Sequence, residues 1–137
     1  MNLTPKIEYE NLEKLNRPFI AELEIAYKAV IKSGWYILGE QVSRFENEFA
    51  AFCNVKHCIG VANGLDALTI CLKCFEFEPG CEILVPSNTY IATILSIVNA
   101  GYKPVLIEPD ITTYNINPDL IENNITAKTK AILPVHL

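Results

Sequence analysis

From residue 57 onward, short runs of apolar side chains alternate with segments whose apolar residues recur at helical spacing. "HCIGVA" (57–62), "CEILVP" (81–86), "KPVLIEP" (103–109) and "KAILPV" (130–135) have the length and composition of strands. Between them, 64–76, "TYIATILSIVNAG" (89–101) and "NPDLIENNI" (117–125) read as helices. Gly101 closes the second of these, and Asn117 with Pro118 opens the third. Strands that are apolar throughout need cover on both faces, and strands separated by helices pair in parallel. The pattern therefore predicts an α/β fold around a mostly parallel sheet. A sheet of this kind that stops on a strand, with no helix after it, reads as the front part of something larger.

Upstream, Phe19, Leu23, Ala26, Tyr27, Val30 and Ile31 place a helix over 17–33, with Asn16 as its cap and Gly34 as its left-handed stop. "WYILGEQ" is a short extended link, and a second helix over about 40–53 carries Val42, Phe45, Phe49 and Phe52 on one side. The net charge of −5 and the absence of a basic cluster denser than "KTK" argue against nucleic acid as a partner. No apolar stretch is long enough for a membrane span, and the polar, acidic start is not a signal peptide, so a cytoplasmic location is the default expectation. Cys53, Cys58, Cys71 and Cys74 have a spacing that superficially suits zinc. Cys71 and Cys74 also fall in the helical pattern of Leu68, Leu72 and Phe75, where a thiol packs as a small hydrophobe, and no metal site is expected.

The stretch "GVANGLDALTICLKC" (60–74) passes from strand-like to helical through Asn63-Gly64. At such a junction the first helical amides have no intrahelical acceptor, and the helix dipole favours an anion, above all a phosphate. Gly64 lets that anion approach the main chain. Asn63 can cap the helix, and Asp66 can reach back to it with its carboxylate turned aside from the anion. A plain turn and cap explains the same residues. Neither the dinucleotide pattern G-x-G-x-x-G nor G-x-x-x-x-G-K-[ST] is present, which leaves a phosphate attached to something else. Tyr90 in "VPSNTYIAT" follows a strand end on the same edge of the sheet, where a ring could stack on a flat heterocycle.

"SGWYILGEQVSRFENEFAAF", "GVANGLDAL", "EILVPSNTYIATILSIVNAGYKPVLIEPD" and "ITAKTKAILPVHL" together resemble the N-terminal third of the DegT-type (DegT/DnrJ/StrS) nucleotide-sugar aminotransferases. The resemblance runs in order from about Arg17 to Leu137. It implies a pyridoxal 5′-phosphate enzyme of the aspartate-aminotransferase fold. The chain would then be part of the large domain of a fold type I transferase, a three-layer sandwich around the sheet. Residues 1–55 would be an N-terminal helical segment and 56–137 the start of the α/β large domain.

The resemblance further implies that Gly64, Leu65 and Asp66 form the turn that holds the cofactor phosphate, and that Tyr90 stacks on the pyridine ring. Trp35 and Tyr36 match a segment near the active-site mouth that touches the sugar nucleotide. His136 lies in the "VHL" motif, where a catalytic role and a partly buried strand-end histidine are both open. Many relatives carry Thr or Ser at the position of Leu65; the Leu is similar to the subgroup acting on dTDP-linked 3-keto-6-deoxyhexoses. Cys81 replaces a usual Asp after Pro-Gly.

The implied reaction converts a keto-sugar nucleotide to an amino sugar, with an amino-acid donor expected to be glutamate, in a homodimer. Pyridoxal-phosphate chemistry needs a Schiff-base lysine and a carboxylate at the pyridine nitrogen. No lysine of this chain matches the family position, so the 137 residues alone are expected to be inactive. The alternatives are a non-catalytic binding module on the same fold and a cysteine-based zinc module.

Overall fold

A computed structural model describes residues 9–137, which fall into two compact units, one ending at Gly60 and the other spanning Val61–Leu137. The first is helical: α1 (Leu12–Asn16), a 3₁₀ turn (Arg17–Phe19), α2 (Ile20–Ser33) and α3 (Glu40–Phe52). Asn11 rather than Asn16 supplies the side-chain cap, accepting from the Lys14 amide, because Pro18 restarts the chain as a 3₁₀ turn before α2. Gly34 ends α2 at φ 69°, the left-handed stop expected of it. Gly39 opens α3, and a Cβ there would stand 3.1 Å from the Trp35 carbonyl oxygen, so only glycine fits without displacing the link.

The apolar faces of these helices are largely uncovered within the described residues. Phe19 in the 3₁₀ turn and Leu23, Tyr27 and Ile31 on α2 are exposed, as are Phe45, Phe49 and Phe52 on α3, whose rings lie against one another instead. Ala50 is the one buried residue of α3. The Glu46 carboxylate accepts from the Gly60 amide at 2.7 Å and ties the end of this unit to α3.

The second unit follows the predicted alternation: α4 (Gly64–Lys73), β1 (Glu82–Pro86), α5 (Ile91–Asn99), β2 (Lys103–Ile107), two 3₁₀ turns (Pro118–Leu120 and Glu122–Asn124) and β3 (Thr129–Ile132). The three strands form one parallel sheet in the order β2-β1-β3. β1 is buried along its whole length. Ile83 and Val85 pack with Leu72, Ile97 and Tyr102 into the core, and Leu84, on the opposite face, is equally inaccessible. Pairing on both edges and cover on both faces is what an uninterrupted apolar run requires. The register against β3 slips by one residue at Lys130.

Besides the Asn16 cap, three readings of the sequence do not hold. "HCIGVA" is not a strand: it has strand composition, but a strand exists only through a partner, and none pairs with it among the described residues. Residues 117–125 form two 3₁₀ turns rather than one helix, although Asn117 does cap the start by accepting from the Asp119 amide. Cys71 and Cys74 are exposed rather than packed, since α4 turns Leu72 inward and its other faces outward; Cys81 is the buried thiol. Among the described residues no group of three or more His, Cys, Asp or Glu side chains is placed to hold a metal ion. None of the described helices is long and apolar enough to cross a membrane.

At the amino end of the sheet, the buried Glu82 carboxylate links three chain segments. Lys103 donates to it from β2 at 2.9 Å, and the Thr126 hydroxyl donates from the approach to β3 at 2.6 Å. The Thr126 hydroxyl and Lys103 hold its pKa below the ordinary carboxylate value, against the opposing effect of burial. A lowered folded-state pKa means stabilisation that is complete above the unfolded value of about 4.3 and is lost as pH falls through the folded value. In denaturant titrations, the stability gap between wild type and Glu82→Gln should therefore be full at neutral pH and close below about pH 4. A gap of the same size under both conditions would show that the charge contributes nothing.

Candidate functional site

The direction of α4 and α5 follows from what ties their C-terminal ends. The Tyr102 hydroxyl donates to the Leu72 carbonyl at 3.4 Å, and the Gly80 amide donates to the Gly101 carbonyl at 3.0 Å. The turns after both helices therefore meet at the amino edge of the sheet, beside the start of β1 and β2. The two helices also pack against each other. A helix of ten residues and a strand of five are both about 15–17 Å long, so both helix N-termini lie level with the carboxyl ends of the strands. This is the edge of an open α/β sheet where ligands bind.

At the first of these N-termini, Asn63 caps α4: its Oδ1 accepts from the Asp66 amide at 2.9 Å, and its Nδ2 donates to the Asp66 carboxylate at 3.3 Å. The Asp66 side chain is thereby held back on the cap. Its amide already has an acceptor, while those of Gly64 and Leu65 have none among the described residues. Gly64 is exposed, and nothing lies within 4 Å of the place its Cβ would occupy. The helix start is an open cup of donors, with the dipole adding partial positive charge.

Tyr90 begins the second helix. It occupies the cap position of α5 but makes no side-chain capping bond, and the residue is 79% exposed. A phenol cannot fold back onto the amides of its own helix as Asn or Ser does, so the Ile91 and Ala92 amides, like those of Gly64 and Leu65, have no acceptor among the described residues. Beside them, the Thr89 and Thr93 hydroxyls lie 2.8 Å apart. This second uncapped start was not read from the sequence. The signal was present, in an aromatic rather than a capping residue immediately before the apolar run.

Loops after the strands complete this rim. The Ser87 amide donates to the Ile107 carbonyl, and Pro109 bridges to Ile116 in antiparallel fashion, folding 108–117 back on itself. Asp110 anchors that loop by accepting from the Thr112 hydroxyl and the Thr112 and Thr113 amides, which lower its pKa. His136 is exposed on the segment after β3.

Trp35 and Tyr36 belong to the first unit. The Trp35 indole donates to the Ile37 carbonyl at 2.8 Å and the Tyr36 hydroxyl to the Ile31 carbonyl at 3.2 Å, while both rings stay mostly exposed. They line a cavity of about 410 Å³ together with Val30, Ser33, Gly39 and Gln41.

Residues 19–137 match the model of the DegT/DnrJ/EryC1/StrS aminotransferase family. The chain belongs to this family. It is 53% identical over 131 residues to the dTDP-3-amino-3,6-dideoxy-alpha-D-galactopyranose transaminase of Aneurinibacillus thermoaerophilus, covering 96% of this chain and 36% of that protein. With the dTDP-3-amino-3,4,6-trideoxy-alpha-D-glucose transaminase of Streptomyces venezuelae it shares 41% identity, covering 98% of this chain and 35% of the relative. The crystal structure of S. venezuelae DesV superposes with a TM-score of 0.91 at 41% identity, over 98% of this chain and 36% of that one. NtdA of Bacillus subtilis, solved with its cofactor PMP bound, also reaches 0.91 at 28% identity, over 99% and 32%. The sheet and its flanking helices are thus the fold type I architecture of the pyridoxal-phosphate aminotransferases. The chain spans about a third of the length of these curated relatives.

Because Gly64 has open space around it and an ordinary backbone conformation, Gly64→Ala should leave the fold intact or raise its stability by up to about 1 kcal/mol. Asn63→Ala, which removes the cap, should lower stability by about 1 kcal/mol. Thermal or denaturant midpoints of the two variants check the contrast.

Proposed function

We propose that residues 61–137 supply the phosphate cradle and ring platform of a pyridoxal 5′-phosphate-dependent sugar aminotransferase. The observation that carries this reading is the pair of helix starts at the carboxyl edge, one open at Gly64 and the other presenting the exposed ring of Tyr90. A phosphorylated aromatic cofactor has the two features such an edge can hold. The Gly64 and Leu65 amides take the phosphate oxygens, and Asp66 serves the same cradle by pairing with Asn63 and keeping its own charge aside. Tyr90 covers one face of the pyridine ring. Bound there, the cofactor carries the amino group between donor and acceptor.

The substrate side follows from the relatives, whose names describe dTDP-sugar transaminases. A keto-sugar nucleotide, with a dTDP-3-keto-6-deoxyhexose as the specific candidate, would accept the amino group, and glutamate would donate it. Leu65, offering only its amide where a hydroxyl could stand, supports that subgroup. Trp35 and Tyr36, flat and exposed beside a cavity, are the surfaces proposed to contact the nucleotide end. We place residues 1–55 as a helical preface to the large domain starting at 56, and expect the complete enzyme to act as a homodimer. No lysine here matches the Schiff-base position, so the 137 residues alone should bind cofactor without transaminating.

Adding pyridoxal phosphate to the full-length protein should produce an absorbance band near the edge of the visible, which glutamate then discharges. No band at saturating cofactor would remove the assignment and favour a non-catalytic module. Tyr90→Ala should weaken cofactor retention by about 1 kcal/mol if stacking dominates. Gly64→Ala should weaken it too, while melting no lower than wild type; unchanged affinity in both variants would move the cradle elsewhere.

A further inference from the structure

Tyr90 can serve as a platform only if its backbone leaves β1 at a fixed angle, and its own side chain makes no bond that would set that angle. The Thr89 hydroxyl bonds forward, to Thr93 on α5. The bond that reaches out of the turn comes from Asn88, two residues before Tyr90. Its Nδ2 donates to the carbonyl of Tyr114, 26 residues away, at 3.0 Å. A carbonyl can only accept, so the orientation of the Asn88 amide follows from its partner.

The acceptor is itself firmly held. Tyr114 sits in the left-handed region at φ 58°, an uncommon conformation for a large aromatic residue. Its amide donates to the Asp110 carbonyl at 2.8 Å, and the Asp110 amide donates to the Asn115 carbonyl at 2.9 Å. Asn115 extends the lacing to the third strand, its Oδ1 accepting from the Leu137 amide at 3.0 Å. Two asparagine side chains thus stitch together the segments that follow β1, β2 and β3. The left-handed turn at Tyr114 aims its carbonyl at Asn88, which gives the strain at that residue a structural purpose.

We infer that Asn88 is a positioning residue for the cofactor platform: through its bond to the Tyr114 carbonyl it fixes the turn from which Tyr90 projects. This rests on the proposed cofactor site and assigns to that site a determinant outside its contacting residues. Among the described residues the Asn88 amide bonds neither to the cradle nor to Tyr90, only to the Tyr114 carbonyl. It acts by limiting the orientations that Tyr90 samples, so that less ordering remains to be done when the ligand binds.

The test is a double-mutant cycle in the full-length protein, with pyridoxal phosphate as the probe. Dissociation constants are read by equilibrium dialysis, and ring orientation by the induced circular dichroism of the bound cofactor. Asn88→Ala should weaken binding by about fivefold, the scale of one hydrogen bond, and reduce the induced signal. Asn88→Asp, nearly isosteric but unable to donate when ionised, should do the same. In a Tyr90→Ala background, Asn88→Ala should have no further effect on either readout, because the residue it positions is gone.

A merely structural role would lower the melting temperature of the cofactor-free protein and weaken binding equally in both backgrounds, and that result would overturn the inference. So would wild-type affinity and dichroism in both Asn88 variants. If the wild-type protein takes up no pyridoxal phosphate, the functional reading fails and this inference with it; if it does and the cycle is additive, the inference alone fails.

Discussion

Five residues, Glu82–Pro86, set the position of almost everything in the second unit. β1 is hydrogen-bonded on both edges, buried on both faces, and central in the order β2-β1-β3. Three parallel strands share one direction, so their carboxyl ends collect at one edge. α5, which connects β1 to β2, begins there, and α4, whose far end leads into the start of β1, begins there too. The cup at Gly64 and the ring at Tyr90 come to the same side for this reason, although they belong to different helices and lie far apart in sequence. Chemistry at that rim is a by-product of strand direction, and strand direction is enforced by the burial of Ile83, Leu84 and Val85.

The two helix starts solve the problem of orphan amides in opposite ways. α4 uses Asn63 to satisfy one amide and leaves two open; α5 places an aromatic where a cap would stand and so satisfies none with a side chain. For stability alone, Asn, Asp, Ser or Thr would serve better at position 90. A residue chosen against the local preference, at the edge where ligands bind, is the kind of departure that functional sites show. The family relationship agrees with this reading and does not depend on it.

Much of this architecture was legible in the residues. β1, β2 and β3 are apolar enough to be read directly, and Asn63-Gly64 announced a helix start with room in front of it. The failures have a common physical origin. "HCIGVA" shows that composition proposes a strand but pairing makes one. Cys71, Cys74 and the α2 stripe show that periodicity tells which side chains share a face, and not whether anything covers that face. The bond from Asn88 to Tyr114 had no local signal at all, because it depends on how two loops return to the same edge.

The buried carboxylate of Glu82 stands at the amino end of the sheet, a full strand length from the rim where the cradle opens. Acidification therefore reaches the scaffold at its far side as well as at the rim loop that Asp110 anchors. Protonation of Glu82 loosens the joined strands without touching any group that lines the cradle. A decline in occupancy on the acid limb would then record loss of the scaffold together with whatever ionises at the rim.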